Sequence, residues 1–351
     1  MPAQTTSDVE CVACGVRFTP TETRLEMCDH CNRYYFRCAM CQRVVRQSYR
    51  STRNQTACRG CYPTPCFDFT PIGVPPFLGV EVEVESNESD FRHAYAETLR
   101  LLPESFATLK EDGSLSEYGY EIVSRPASYV EHVAAWTPFF QAVRDGKLGQ
   151  LTAWSNDSCG LHVHICRDAA LRVSPFDTLP PIDERWKLDQ HTIALIVCFV
   201  NLPRNRRFIE TIAGRNSNSY TNFQRKRMAT AATRTGFKYE AVNLEHSASL
   251  EFRIFKGTLR AQSFFKALEF VLALSEFCRS TFNVRKAMAL STFIRYVNEN
   301  ASKYPNLDSF IQNRWYGKRD RNGAAVWRLV NNRKPPLPPI EHGSRSTEGG
   351  R

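Results

Sequence analysis

Residues 78–85 read Leu-Gly-Val-Glu-Val-Glu-Val-Glu, and this strict alternation decides the fold class. Successive side chains of a strand leave the backbone on opposite sides, so period-2 alternation marks one buried face and one polar face. Val80, Val82 and Val84 are expected on a core, with Glu81, Glu83 and Glu85 in a row on the other side. Neighbours in that row stand about 6.5–7 Å apart. Like charges so placed are unfavourable unless water or cations balance them. Alone, the segment describes an amphipathic surface strand as well as it describes a site.

Other segments share the pattern. Strands are predicted at GYEIVS (119–124), GLHVHIC (160–166), YEAVNL (239–244) and LEFRIF (250–255). Helical periodicity marks DFRHAYAETLRLL (90–102, with Asp90 as its N-cap), YVEHVAAWTPFFQAV (129–143), HTIALIVCFVNL (191–202) and QSFFKALEFVLALSEFCRS (262–280), with further helix over 283–316. The reading is an α+β fold, an antiparallel sheet flanked by helices. His162 and His164 share one face of their strand, with Leu161, Val163 and Ile165 behind; Glu251 and Arg253 share another, backed by Phe252 and Ile254. Glu121 adds a further acid, after Lys110-Glu-Asp-Gly-Ser114. Together these residues point to one concave sheet face of carboxylates, imidazoles and a guanidinium. That face suits phosphoryl chemistry. Carboxylates and neutral histidine hold Mg²⁺ or Mn²⁺, which clamp phosphate oxygens, and an arginine stabilises charge on a transferring phosphoryl group. Acids alone would repel ATP, so the cations belong to the site.

The rest of the chain sets limits. Its 351 residues are 42% hydrophobic and 23% charged, which excludes wholesale disorder. No apolar run approaches the roughly 18 residues of a membrane span, and no secretion signal opens the chain, so a cytoplasmic location without membrane association is expected. The net charge of +10 favours an anionic partner: nucleotide, nucleic acid or acidic peptide. Of thirteen cysteines, eight form the Cys-x-x-Cys pairs Cys11/Cys14, Cys28/Cys31, Cys38/Cys41 and Cys58/Cys61, while Cys66 is a spare. Four pairs fit two structural Zn²⁺ ions, ligated sequentially or cross-braced, with His30 able to replace one thiolate. Arg33, Arg37, Arg43, Arg46, Arg50 and Arg53, with Tyr34, Tyr35 and Tyr49, could meet nucleic acid or protein. The expected organisation is a zinc module (1–66), a Pro-rich linker (67–76), a catalytic domain (77–320) and a basic, disordered Pro/Gly-rich tail (321–351). Within the domain, the basic segment 204–227 reads equally as a solvated loop or as a phosphate-binding or acidic-substrate segment.

Taken in order, GVEVEVE, EDGSLSEYGYEIVS, CGLHVHI and KYEAVNLEHSASLEFRIFKGTL resemble the amidoligases. These belong to the glutamine synthetase/γ-glutamylcysteine ligase-like superfamily of carboxylate–amine ligases, and the resemblance spans residues 77–285. It implies a partial barrel with ATP and two or more divalent cations on its concave face. It places Glu83 with Glu121 and Asp112 at one cation, and Glu81 with His162 and Glu251 at another. It directs Arg253 to the γ-phosphoryl group, with His164 and Lys256 also toward the nucleotide, and gives Glu85 no role. The activity implied is ATP-dependent joining of a carboxylate to an amine through an acyl phosphate. A protein or peptide docked by the zinc module is a candidate substrate. Two rival readings use the same residues: a non-catalytic zinc-ribbon protein that binds nucleic acid or protein through a ligase-like recognition domain, and a metal hydrolase.

Overall fold

An eight-residue strand of alternating valine and glutamate needs partners along both edges, and Leu78–Glu85 has them. The computed structural model describes residues 8–21, 26–37, 44–47, 70–153, 159–168, 186–216, 222–235, 237, 239–319 and 325–329. The chain divides into two units, Met1–Trp186 with Phe255–Leu259, and Lys187–Ile254 with Arg260–Arg351. That division falls inside the stretch 77–320 read above as one domain.

The first unit begins with β1 (Val9–Glu10), β2 (Arg17–Phe18), α1 (Asp29–Tyr34), β3 (Tyr35–Arg37) and β4 (Val44–Arg46). It continues with β5 (Leu78–Glu85), α2 (Phe91–Leu101), β6 (Ala107–Lys110), β7 (Gly119–Ser124), α3 (Tyr129–Arg144) and β8 (Gly160–Cys166). The second unit holds α4 (Gln190–Asn201), α5 (Arg206–Ala213), β9 (Val242–Asn243), β10 (Ser249–Lys256, ending in the first unit), α6 (Ala261–Ser280), α7 (Val284–Ala287), α8 (Leu290–Glu299), α9 (Pro305–Arg314), β11 (Trp315–Arg319) and β12 (Ala325–Leu329). A six-stranded sheet runs in the order β6-β7-β5-β8-β10-β9, so the α+β class holds. No described helix is long and apolar enough to cross a membrane.

The alternation of β5 works as read on one side. Val80, Val82 and Val84 are buried, and the register sets Val82 and Val84 opposite Ile122 and Tyr120 of β7, and Val80 and Val82 opposite Val163 and Leu161 of β8. Helices cover this apolar face. Tyr120 shares a hydrogen bond with Thr98 of α2 (2.9 Å), and His132 of α3 donates from Nε2 to the Leu78 carbonyl (2.8 Å). Burial holds the His132 imidazole neutral, with its pKa down at about 4. Trp136 and Phe106 close the layer edge to face.

The second unit has a separate aromatic core. Phe293 of α8 meets Phe199 of α4, Phe208 of α5, and Phe270 and Phe277 of α6. Each such side chain contributes roughly 1.5–3 kcal/mol by leaving water. Among the buried charges of this unit, Glu269 is fully buried and accepts the Leu307 N–H (2.7 Å) and the Asn306 amide (2.6 Å), satisfying donors at the start of α9.

Several expectations are corrected. Asp90 precedes α2 but makes no side-chain cap; its carboxylate accepts the Gln150 N–H at 2.9 Å instead. The strand at 239–244 shortens to β9, because the chain before it pairs elsewhere, the Ala241 N–H with the Asn222 carbonyl. The strand β6 alternates over only four residues, Ala-Thr-Leu-Lys, too short a run to mark it in the sequence, and it pairs with β7. From Thr70 the linker is tied down, as Arg125 donates to the Thr70 carbonyl (2.7 Å) and Ser128 to that of Ile72 (2.9 Å). The basic segment 204–227 contains α5, whose buried Phe208, Ile209 and Ile212 give it a core face. The tail is not irregular throughout: Ala-Val-Trp-Arg-Leu (325–329) pairs with β11, its β-forming residues outweighing the Arg, Gly and Pro around them.

Replacing Glu269 with Ala should lower stability by about 2 kcal/mol, since two donors lose a charged acceptor. Urea denaturation followed by circular dichroism reads it; an unchanged midpoint would show that the carboxylate carries no structural weight.

Candidate functional site

The cysteine pairs are placed by a hairpin and a helix start. Cys11 and Cys14 lie on the turn joining β1 to β2, where Cys11 N–H donates to Val16 (2.9 Å) and Gly15 N–H to Cys11 (2.8 Å). Cys28 is the N-cap residue of α1 and Cys31 lies in its first turn. Val12 N–H donates to Glu26 (3.0 Å), tying the two knuckles together. The four Sγ atoms lie within 4.8 Å of one another, and Cys14 and Cys28 are 3.8 Å apart. Bonds of about 2.3 Å at tetrahedral angles give S···S edges of about 3.8 Å, so this four-cysteine cluster fits zinc.

The thiols show why a cation suits them. Burial works against ionising Cys11, yet N–H groups of Cys28, Ala13 and Cys14 hold its pKa down at about 6. Cys31 is pushed up to about 12, by the Cys14 side chain first and by burial next. One thiolate therefore forms at the expense of others until a dication offsets the charge. The surrounding core is small: Cys11, Met27 and Cys31, with Ala13, Phe18, Tyr35 and Val44 packed on them. A core of this size needs a staple. The first two pairs meet each other, which is sequential ligation for this site. His30 is outside the cluster and packs against the Tyr34 ring (5.2 Å). Arg37 is ion-paired with Glu26. Cys38, Cys41, Cys58, Cys61 and Cys66 lie outside the described residues, as do Arg43, Tyr49, Arg50 and Arg53.

The acid row of β5 is set by its register. Glu83 stands opposite Glu121 of β7, which in turn stands opposite Lys110 of β6. One rung away, Glu81 stands opposite His162 of β8. This row is not a solvated face, since Glu83 is only 6% and Glu121 9% exposed. Within the first unit two sets of carboxylate and imidazole ligand atoms converge within 4.8 Å: Glu83, Asp112 and Glu121, and Glu81, Glu121 and His162. Glu121 belongs to both. Asp112 reaches its set from the loop between β6 and β7, its Oδ1 accepting from the N–H and hydroxyl of Ser114. Glu83 accepts from the Gly160 N–H, and a Cβ at residue 160 would stand 3.2 Å from that carboxylate, so glycine allows the approach.

The two carboxylates beside His162 differ in charge preference. Burial raises the Glu81 pKa, but contacts from His162 Nδ1 (3.2 Å) and His164 Nε2 (3.3 Å) more than offset it, and the group stays well below the usual range. With the Nδ1 proton of His162 on Glu81, Nε2 carries the lone pair that a cation needs. Glu121 is pushed up to about 9, by burial first and then by the charge of Glu81, with Glu83 and Asp112 adding to it against Lys110. A divalent cation relieves that repulsion, so these residues fit Mg²⁺ or Mn²⁺.

Glu251 and Arg253 lie on β10 in the second unit. Glu251 is almost fully buried and accepts from Arg253 Nη1, from the Asn243 amide (2.7 Å) and from His246 Nε2 (3.1 Å). Arg253 also lies 5.8 Å from the Tyr239 ring centroid, while Arg215 donates to the carbonyls of Arg253 (2.6 Å) and Ile254 (3.2 Å). Lys256 is half-buried at the end of the strand. Sequence reasoning does not single out Lys110, Asn243, His246 or Arg215. Asn243 sits directly across from Glu251, a relation that only pairing creates.

No family model matches the chain, and no curated protein matches it. Among solved structures it is similar to the complex between prokaryotic ubiquitin-like protein Pup and its ligase PafA, at 10% identity and a TM-score of 0.28. The alignment covers 72% of this chain and 54% of that one, so the chain spans about half the length of the matched protein. A likeness that slight carries no argument, and the chemistry rests on the residues themselves.

Two outcomes follow from this geometry. Cys31→Ser should leave one zinc fewer per chain than the parent, counted by native mass spectrometry; an unchanged count would remove zinc from this cluster. For Glu121 the folded pKa is raised, so its favourable share is complete below about 4.5 and is lost as pH rises toward about 9. Metal-free protein should therefore lose stability as pH rises through this window. Glu121→Gln should flatten the slope in urea titrations, and an equal slope in both proteins would count against the buried charge.

Proposed function

We propose that the chain is an ATP-dependent carboxylate–amine ligase. The observation that supports this reading is the pair of three-ligand sets sharing Glu121 on one sheet face. A shared carboxylate suits two adjoining dications, and paired dications suit a polyphosphate. When bound, Mg²⁺ or Mn²⁺ would neutralise phosphate oxygens that the acids alone would repel. The chain's own groups would then act as follows. Glu81 fixes the imidazole of His162 through Nδ1, the Gly160 N–H fixes Glu83, and Asp112 approaches from its loop. Arg253 at the γ-phosphoryl group, Glu251 as a further ligand, and His164 and Lys256 at the nucleotide belong to the same proposal.

The reaction has two steps. A substrate carboxylate oxygen attacks the γ-phosphorus and ADP leaves, giving an acyl phosphate. An amine nitrogen then attacks the acyl carbon, inorganic phosphate leaves, and the nitrogen gives up a proton to yield the amide. Activation is needed because a carboxylate is a poor acyl donor, and the protein contributes positioning and charge stabilisation. The zinc module ahead of this domain is proposed to dock a protein or peptide substrate.

Calorimetric titration of ATP with Mg²⁺ into the full chain is the direct test. Binding should require the cation and should weaken by roughly 10–100-fold in Glu121→Gln and in Arg253→Ala. ATP binding that ignores both the cation and Glu121, or no binding by the folded, zinc-loaded protein, would sink the ligase reading.

A further inference from the structure

The third acid of the β5 row has a job that neither cation set uses. Glu85 is buried, and among the described residues it belongs to none of the candidate ligand sets. Both of its oxygens turn to one residue of the loop between β6 and β7. Oε1 accepts the Ser116 N–H at 2.9 Å, and Oε2 accepts the Ser116 hydroxyl. The backbone of Glu85 is held separately, by reciprocal 2.8 Å hydrogen bonds with Thr152. Its side chain is thus anchored on a fixed strand while it grips an exposed loop.

The loop is built to receive it. Gly119 stands opposite Glu85 in the ladder, and a Cβ there would lie 3.1 Å from the carboxylate and 2.7 Å from Leu115 Cβ. Tyr118 N–H donates to Ser116 Oγ (3.2 Å) and Gly119 N–H to Ser116 O (3.0 Å), so Ser116 closes the C-terminal side of the loop. On the N-terminal side, Leu115 N–H donates to the Asp112 carbonyl (3.2 Å) and Ser114 N–H to Asp112 Oδ1 (2.7 Å). The backbone from Leu115 to Ser116 joins these two sets of bonds, so the residue gripped by Glu85 directly follows the turn that closes on Asp112.

We propose that Glu85 is a positioning residue: through Ser116 it latches the loop so that Asp112 stays with Glu83 and Glu121. This role rests on the cation reading above. A buried, charged acceptor with two donors on one loop residue holds more firmly than neutral contacts would. Asp112 is the only member of its set carried on a loop rather than on a strand, so it depends most on such a hold.

A Mn²⁺ titration of the full chain, followed by calorimetry, tests the latch. Ser116→Ala removes one hydroxyl from an exposed position and should weaken Mn²⁺ binding by about tenfold, in the range for groups that orient metal ligands. Ser116→Thr keeps the hydroxyl and should bind like the parent. Glu85→Gln keeps one carbonyl acceptor and should fall between the parent and Glu85→Ala. The deciding comparison uses Asp112→Asn. If the latch acts through Asp112, adding Ser116→Ala to Asp112→Asn costs nothing further. A second full tenfold loss, or parent-like affinity in Ser116→Ala, would overturn the latch while leaving the cation site intact. No Mn²⁺ binding by the parent would remove the cation reading itself and this role with it. Thermal melts on each variant show that the chain is folded.

Discussion

The structure turns on the register of one strand. With Glu83 opposite Glu121 and Glu81 opposite His162, the fold brings buried acids together where like charges repel. The pairing survives because the same register buries Val80, Val82 and Val84 against apolar partners on both neighbours. A slip by one residue would exchange the faces, putting three carboxylates into the core and three valines onto the site. The apolar face thus fixes the register, and the polar face bears the electrostatic cost. That cost is highest at Glu121, which burial and the neighbouring carboxylates hold toward its neutral form.

Three buried carboxylates solve the same problem differently. Glu251 is neutralised and hydrogen-bonded from within its own unit, by Arg253, Asn243 and His246. Glu269 serves the fold, satisfying donors at the start of α9. Glu121 meets Lys110 from one side and carboxylates from the other. In the last arrangement carboxylates outnumber the single lysine, so an external dication would relieve repulsion there.

The cysteine cluster follows the same logic on a smaller scale. Its core of Cys11, Met27 and Cys31 is too slight to hold two knuckles together, and its thiols cannot all ionise side by side. A metal removes both difficulties at once, since ligation supplies the folding energy that apolar burial lacks.

The sequence by itself determined what depends on nearest neighbours along the chain. Period-2 alternation placed β5, β7, β8 and β10, helical periodicity placed α2, α3, α4 and α6, and Cys-x-x-Cys spacing marked the cysteines that cluster. It also showed which face of each strand carries the polar groups, because side-chain direction alternates whatever the strand pairs with. Only the tertiary structure decided which faces meet: that Glu121 is shared by two ligand sets, that Cys11/Cys14 pairs with Cys28/Cys31, and that Glu85 grips Ser116 rather than a cation. Partners such as Lys110 and Asn243, and the strands Ala107–Lys110 and Ala325–Leu329, were illegible for the same reason. Their roles come from cross-strand hydrogen bonds between residues distant in the chain, and no local pattern encodes which strand will lie alongside.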